Sequence, residues 1–262
     1  MALEQFRLDD QVAIVTGAGR GVGEGIAKVL AEAGATVVGT ARTSSEVNET
    51  IEAIQDAGGK GLAITADALV REDSERVVRT AVDEFGRIDI LINNVGFATY
   101  GSFLDLTDDN LRLTFDYCVT SAFIMSQLVV PHMLKVGRGS IVNISSGAGR
   151  FGIRGLLPYC VAKGGLEALT RAMAQELAPK IRVNAIALGA FMTTGLQSSF
   201  DLMPGSEEQL KARTPLHRVG DVEDLGRLAL YLSTRDCYAT NSVFVVDGGL
   251  QGPNSELPIP DL

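Results

Sequence analysis

The chain has 262 residues, enough to bury one large core or two small ones. Against 23 Lys and Arg stand 32 Asp and Glu, a net charge of −9 with no basic cluster, which argues against nucleic acid or an anionic membrane as partner. Cys118, Cys160 and Cys237 lie far apart without metal-ligand spacing, so neither a disulfide framework nor a zinc site is indicated. Residues 1–10 are polar and carry no signal-peptide run, and no apolar stretch reaches the length of a membrane span unbroken. These features lead us to expect an intracellular globular protein in a reducing, cytoplasmic compartment.

In chain order, Val12-Ala13-Ile14-Val15 is a short apolar run rich in β-branched residues and reads as a buried strand. A helical pattern follows, with Val22, Ile26, Val29 and Leu30 on one side, and ends at Gly34. Strands are then predicted over 35–39, 61–65, 88–92, 140–144, 182–186 and 242–246. Helices are predicted over 45–57, 73–85, 107–135, 159–178 and 222–232. Continuous apolar strands separated by helices imply a doubly wound α/β fold, a parallel sheet covered on both faces. With no linker, low-complexity tract or repeat, a single domain is expected over 1–262, with a lid at about 190–215 and a tail over 250–262.

The first strand runs into Thr16-Gly17-Ala18-Gly19-Arg20-Gly21-Val22-Gly23. Glycines at such a turn let backbone N–H groups approach a pyrophosphate at the next helix N-terminus, although the spacing departs from G-x-G-x-x-G and glycines also mark ordinary turns. At the end of the second strand an acidic residue would accept from the ribose 2′-hydroxyl of NAD, whereas a basic one suits the extra phosphate of NADP. Here Arg42 follows the strand and no carboxylate comes before Glu46, so Arg42 and Arg20 are expected to clamp a phosphate and NADP(H) is favoured over NAD(H). Asp67, with Ala68 beside it, is placed to accept from an adenine amino group, or else to cap its own turn. Asn94 and Gly96 close the fourth strand, the amide able to hold the neighbouring loop and the glycine leaving room for a ribose.

Tyr159 and Lys163 are four apart on a predicted helix and so share a face, where a fixed ammonium eases loss of the phenol proton. Ser146, thirteen positions before Tyr159, should face the same crevice at the carboxyl ends of the strands and orient a substrate oxygen. Neither Ser145 nor Ser146 lies in a G-x-S-x-G elbow and neither His132 nor His217 is positioned as a base, which argues against a hydrolase.

Together these motifs resemble the short-chain dehydrogenase/reductase family over about residues 12–249, with Arg182-Val183-Asn184-Ala185 and Val246-Asp247-Gly248-Gly249 completing the match. The resemblance implies a Rossmann fold with strand order 3-2-1-4-5-6-7 and hydride transfer between a nicotinamide and a carbonyl or alcohol carbon. It implies Tyr159 as general acid/base, Lys163 on the nicotinamide ribose, and Gly189, Phe191 and Thr193 near the nicotinamide amide. Three positions depart from the family pattern. Val95 stands for Ala, Leu188 for Pro, and Cys118 for an active-site Asn that helps hold a relay water. Cys118 is read either as a small buried substitute or as the mark of a weakened relay, and so of a weakly active nicotinamide-binding sensor or scaffold.

The lid residues Phe191, Met192, Leu196, Phe200, Leu202 and Met203, with Phe97, Tyr100 and Phe151, suggest a hydrophobic carbonyl or alcohol substrate. The pattern is similar to bacterial hydroxysteroid dehydrogenases and to 3-oxoacyl-carrier-protein reductases. An acidic carrier protein would call for a basic rim that the sequence lacks. Through its Asp247-Gly248-Gly249 ending the family resemblance implies a homo-oligomer, tetramer or dimer, and Leu257, Ile259 and Leu262 of the proline-containing tail are expected to dock on a neighbouring subunit.

Overall fold

Val12 and Ile14 face one side of the central sheet and Ala13 and Val15 the other, and all four are buried, as the apolar run requires of a strand covered on both faces. The computed structural model describes residues 4–203, 205–250 and 252. Its strands are β1 (Val12–Thr16), β2 (Thr36–Ala41), β3 (Lys60–Thr65), β4 (Ile90–Asn93), β5 (Gly139–Ser146), β6 (Ile181–Leu188) and β7 (Ser242–Val246). They form one seven-stranded sheet in the order β3-β2-β1-β4-β5-β6-β7, every neighbouring pair parallel. The order reverses at β1 and β4, and the crevice above that point is where a doubly wound sheet binds ligands.

The helices are α1 (Gly21–Glu32), α2 (Ser44–Asp56), α3 (Arg71–Phe85), α4 (Asp108–Phe115), α5 (Ser121–Val136), α6 (Leu157–Leu177), α7 (Thr194–Leu202), α8 (Ser206–Arg213) and α9 (Val222–Ser233). α1, α2 and α9 cover one face through Ile26, Leu30, Ile51 and Leu225; α3, α5 and α6 cover the other through Val77, Val129, Met133 and Ala174.

The sequence-based boundaries shift where side chains compete with the backbone. The fourth strand begins at Ile90, later than the predicted Ile88, because the Asp89 carboxylate accepts from the Val12 N–H at 3.0 Å and from Arg87 at 2.6 and 2.8 Å. α6 begins at Leu157, two residues before the predicted Tyr159, with Pro158 in its first turn, where a missing N–H costs nothing. The long helix predicted over 107–135 is continuous from Asp108 to Val136 but passes through a π turn at Asp116–Thr120. By length and composition this rod could cross a membrane; in the fold 44% of its most apolar window is buried. α7 and α8 lie within the predicted lid. Leu257, Ile259 and Leu262, the expected docking residues of the tail, fall outside the described residues.

Under the crevice runs a buried polar ladder. Asn93 Nδ2 donates to Asn143 Oδ1 at 2.8 Å and to Ser126 Oγ at 3.1 Å. Asn143 Nδ2 donates to Thr170 Oγ1 at 2.9 Å, and Thr170 Oγ1 donates to the Leu166 carbonyl at 2.8 Å. It ties β4, β5, α5 and α6 together immediately below the strand ends.

Candidate active site

The turn after β1 is a cradle that side chains would fill. Gly17 and Gly21 adopt φ of +64° and +60°, the left-handed region that an L side chain resists. A Cβ on Gly23 would overlap the Gly17 carbonyl oxygen and lie 2.5 Å from Asn94 Nδ2. That amide donates to the carbonyls of Thr16 and Gly17 at 3.1 and 3.0 Å, while Thr16 Oγ1 accepts from the Asn94 N–H at 3.0 Å. Asn94 therefore pins the glycine loop to β4, which is the loop-holding role expected of it. α1 opens at Gly21, and its N-cap residue Arg20 makes no side-chain capping bond. Free N–H groups at a helix N-terminus, with glycine backbone exposed beside them, suit the pyrophosphate of a dinucleotide.

Two adjoining clefts, of about 240 and 370 Å³, open along this edge of the sheet and share Asn94, Gly96 and Phe97. The first holds Gly17, Gly19, Arg20, Arg42, Glu46, Ala68 and Tyr117. The second holds Val22, Tyr100, Ser145, Tyr159, Lys163 and Leu188. The glycine loop and the Tyr159–Lys163 pair thus flank one continuous groove.

At the Tyr159 end, Lys163 is 3% exposed, its Nζ 5.5 Å from the Tyr159 ring centroid and donating to the Ile144 carbonyl at 2.7 Å. Gly96 lies so near that a Cβ there would stand 3.3 Å from Nζ. Desolvation first, and the neighbouring Tyr159 phenol second, push the Tyr100 phenol above its ordinary range, so Tyr100 stays neutral. Cys118 is buried in the π turn, its thiol donating to the Phe97 carbonyl at 3.6 Å.

Other expected residues are placed less directly. Ser146 ends β5 half-buried, its hydroxyl accepting from the Ala148 N–H at 3.2 Å; it is Ser145 that borders the Tyr159 cleft, with its own hydroxyl donating to buried Glu167 at 3.0 Å. Asp67 accepts from the Leu69 N–H at 3.0 Å and so caps its own turn, while its backbone N–H donates to Asp73 at 2.8 Å; Ala68 rather than Asp67 borders the groove. Arg42 donates to the Tyr117 hydroxyl at 2.8 Å, and Arg20 pairs with Glu46 at 3.3 Å. Gly189 packs on the backbone of Asp247, and the buried Phe191 ring packs on Gly220, away from both clefts. Thr193 does reach the glycine loop, where a Cβ on Gly21 would lie 3.2 Å from its Cγ2. Within the lid, Phe200, Leu210 and Val219 form a small core with Met192 and Leu196, whereas Leu202 and Met203 face solvent. Among the described residues no group of His, Cys, Asp and Glu is placed to hold a metal. Nothing local in the sequence marks Tyr117 or Glu167 as part of the site.

A doubly wound sheet with this cradle and this Tyr–Lys pair defines a dinucleotide-dependent oxidoreductase fold. The family model described as enoyl-(acyl carrier protein) reductase matches residues 17–251. An uncharacterized oxidoreductase of Mycobacterium tuberculosis is 41% identical over the whole of both chains. The 7α-hydroxysteroid dehydrogenase of Escherichia coli K12 is 35% identical over 94% of this chain and 96% of its own. The 3-oxoacyl-(acyl-carrier-protein) reductase FabG of Thermotoga maritima is 32% identical over 94% and 99%. A solved 7α-hydroxysteroid dehydrogenase in complex with NADH and 7-oxo glycochenodeoxycholic acid superposes with a TM-score of 0.90 at 34% identity, covering 96% of this chain and 98% of that one. The chain belongs to the short-chain dehydrogenase/reductase family of nicotinamide-dependent oxidoreductases.

Proposed function

We propose that the protein interconverts a hydrophobic ketone and its secondary alcohol, with NADP(H) preferred and Tyr159 as the general acid/base. The observation that carries this reading is the continuity of the groove, with Tyr159 and Lys163 at one end and the glycine loop and Arg42 at the other. A bound nicotinamide supplies the hydride chemistry. The chain's own part is to place the reactants and handle a proton. The Tyr159 hydroxyl gives a proton to the forming alkoxide or takes one from the alcohol. Lys163, which borders the second cleft beside Gly96, holds the nicotinamide ribose. Ser146, at the last position of β5, orients the substrate oxygen. Titrating Tyr159→Phe with dinucleotide and then assaying it tests the assignment. Affinity should stay within a few-fold while turnover falls about 10²- to 10⁴-fold. Near-native turnover would remove Tyr159 from the chemistry.

The likeness to a hydroxysteroid dehydrogenase supports a steroid-like substrate, as do Val22, Phe97, Tyr100, Leu156 and Leu188 bordering the Tyr159 cleft. A second reading, reduction of a 3-oxoacyl thioester on a carrier protein, draws on the likeness to FabG, and the net charge of −9 weighs against an acidic partner. Assaying steroids, quinones, aldehydes and 3-oxoacyl thioesters side by side separates the two. The cytoplasm is the proposed compartment, on the acidic composition and scattered cysteines, and recovery outside it would count against this. Exposed Phe103, Leu104, Phe115, Phe123 and Val161 support assembly into a dimer or tetramer, which a monomer mass by light scattering would exclude.

A further inference from the structure

Two arginines border the adenosine end of the groove, and the structure treats them differently. Arg20 is exposed over 72% of its side chain, and its charge is paired with Glu46 at 3.3 Å. Arg42 has no carboxylate partner among the described residues. One guanidinium nitrogen donates to the Tyr117 hydroxyl at 2.8 Å, and its central carbon lies 5.3 Å from the centroid of the same ring. Tyr117 is itself fixed. It is 9% exposed, sits in the π turn between α4 and α5, and packs its ring against Phe97 with centroids 5.4 Å apart. A neutral phenol occupies one donor of the guanidinium and leaves its charge intact, with the other N–H groups available to a phosphate.

We propose that Tyr117 is a positioning residue for cofactor selection, holding the Arg42 guanidinium at the groove rim to receive the 2′-phosphate on the adenosine ribose. The inference rests on the NADP(H) reading above and deepens it. An arginine that is already immobilised loses less freedom on capturing its ligand, an advantage of about three- to tenfold in affinity. Arg20 cannot supply the same advantage, because it must first leave Glu46.

The test is calorimetric titration with NADP⁺, NAD⁺ and 2′,5′-ADP, which carries the phosphate without the nicotinamide. The proteins are the wild type, Tyr117→Phe, Arg42→Met and the double variant, each checked for an unchanged unfolding midpoint. Phenylalanine keeps the ring against Phe97 and removes only the hydroxyl. Tyr117→Phe should weaken NADP⁺ and 2′,5′-ADP about three- to tenfold, leave NAD⁺ within about twofold, and add nothing in the Arg42→Met background. If Arg42→Met weakens NADP⁺ and Tyr117→Phe does not, the inference is overturned and the cofactor reading stands. If Tyr117→Phe weakens NAD⁺ and NADP⁺ alike, Tyr117 is only part of the adenosine wall and the inference is likewise overturned. If all four proteins bind 2′,5′-ADP equally, both the inference and the NADP(H) reading fall.

Discussion

At the glycine loop the groove wall is backbone, packed until no atom can be added: Gly23 faces the Gly17 carbonyl and the Asn94 amide that pins the loop. In the segment of α7 and α8, side chains gather around a small core of Phe200, Leu210 and Val219, and Leu202 stands 83% exposed. The first region is held rigid by its own backbone contacts. The second has apolar surface to spare. Tolerance to substitution should therefore differ sharply between the two.

The largest effect is expected in the cradle. Gly23→Ala should cost about 1–3 kcal/mol in stability, as overpacking does. It should also weaken dinucleotide binding about tenfold or more, equivalent to about 1.4 kcal/mol. Thermal unfolding and titration read the two losses, and a variant unchanged in both would show that the loop has slack and the contrast is false. A smaller effect is expected at Asp73 of α3, whose carboxylate is held below its ordinary range first by the Asp67 N–H and then by Arg76. A depressed folded pKa stabilises the protein above the unfolded value, and that contribution disappears as pH falls through the folded one. Asp73→Asn should lower the unfolding midpoint at neutral pH by the equivalent of under about 1 kcal/mol, the scale of an exposed ion pair. The gap from wild type should close in acid, and a pH-independent gap would deny the carboxylate its role. The smallest effect belongs to the lid. Leu202→Ser should change stability by less than about 0.5 kcal/mol and leave dinucleotide affinity untouched. A large loss in either would mean that this surface is packed in the working protein.

Much of this contrast can be read from the chain because the cradle obeys local rules. A β-branched run, a turn rich in glycine and a helical period are each visible within a few residues, and so is the four-residue step from Tyr159 to Lys163. What escaped the sequence depends on partners far away. Arg42 is tied to a phenol 75 positions along, and Ser145 is turned toward Glu167 across 22. Asp67 reads equally well as an adenine acceptor or as its own turn cap, and the fold shows the cap, one carboxylate oxygen accepting from the Leu69 N–H. The π turn inserts its extra backbone without a proline or glycine to announce it. In the lid, Phe200 and Leu202 have the same apolar character, yet one is buried and the other bare, because packing against α8 decides between them.

The ladder from Asn93 through Asn143 to Thr170 spreads the cost of an error over its neighbours. Leucine at Asn143 alone would remove one bond from each neighbour, leaving Asn93 held by Ser126 and the Ala122 carbonyl and Thr170 held by the Leu166 carbonyl, while the leucine's bulk would have to fit between two polar groups. Grease by itself would let α6 settle one notch up or down along the sheet, and these rungs forbid it. Lys163 lies seven residues before Thr170 on that helix, so the ammonium's station at the groove is set by a count of satisfied amides.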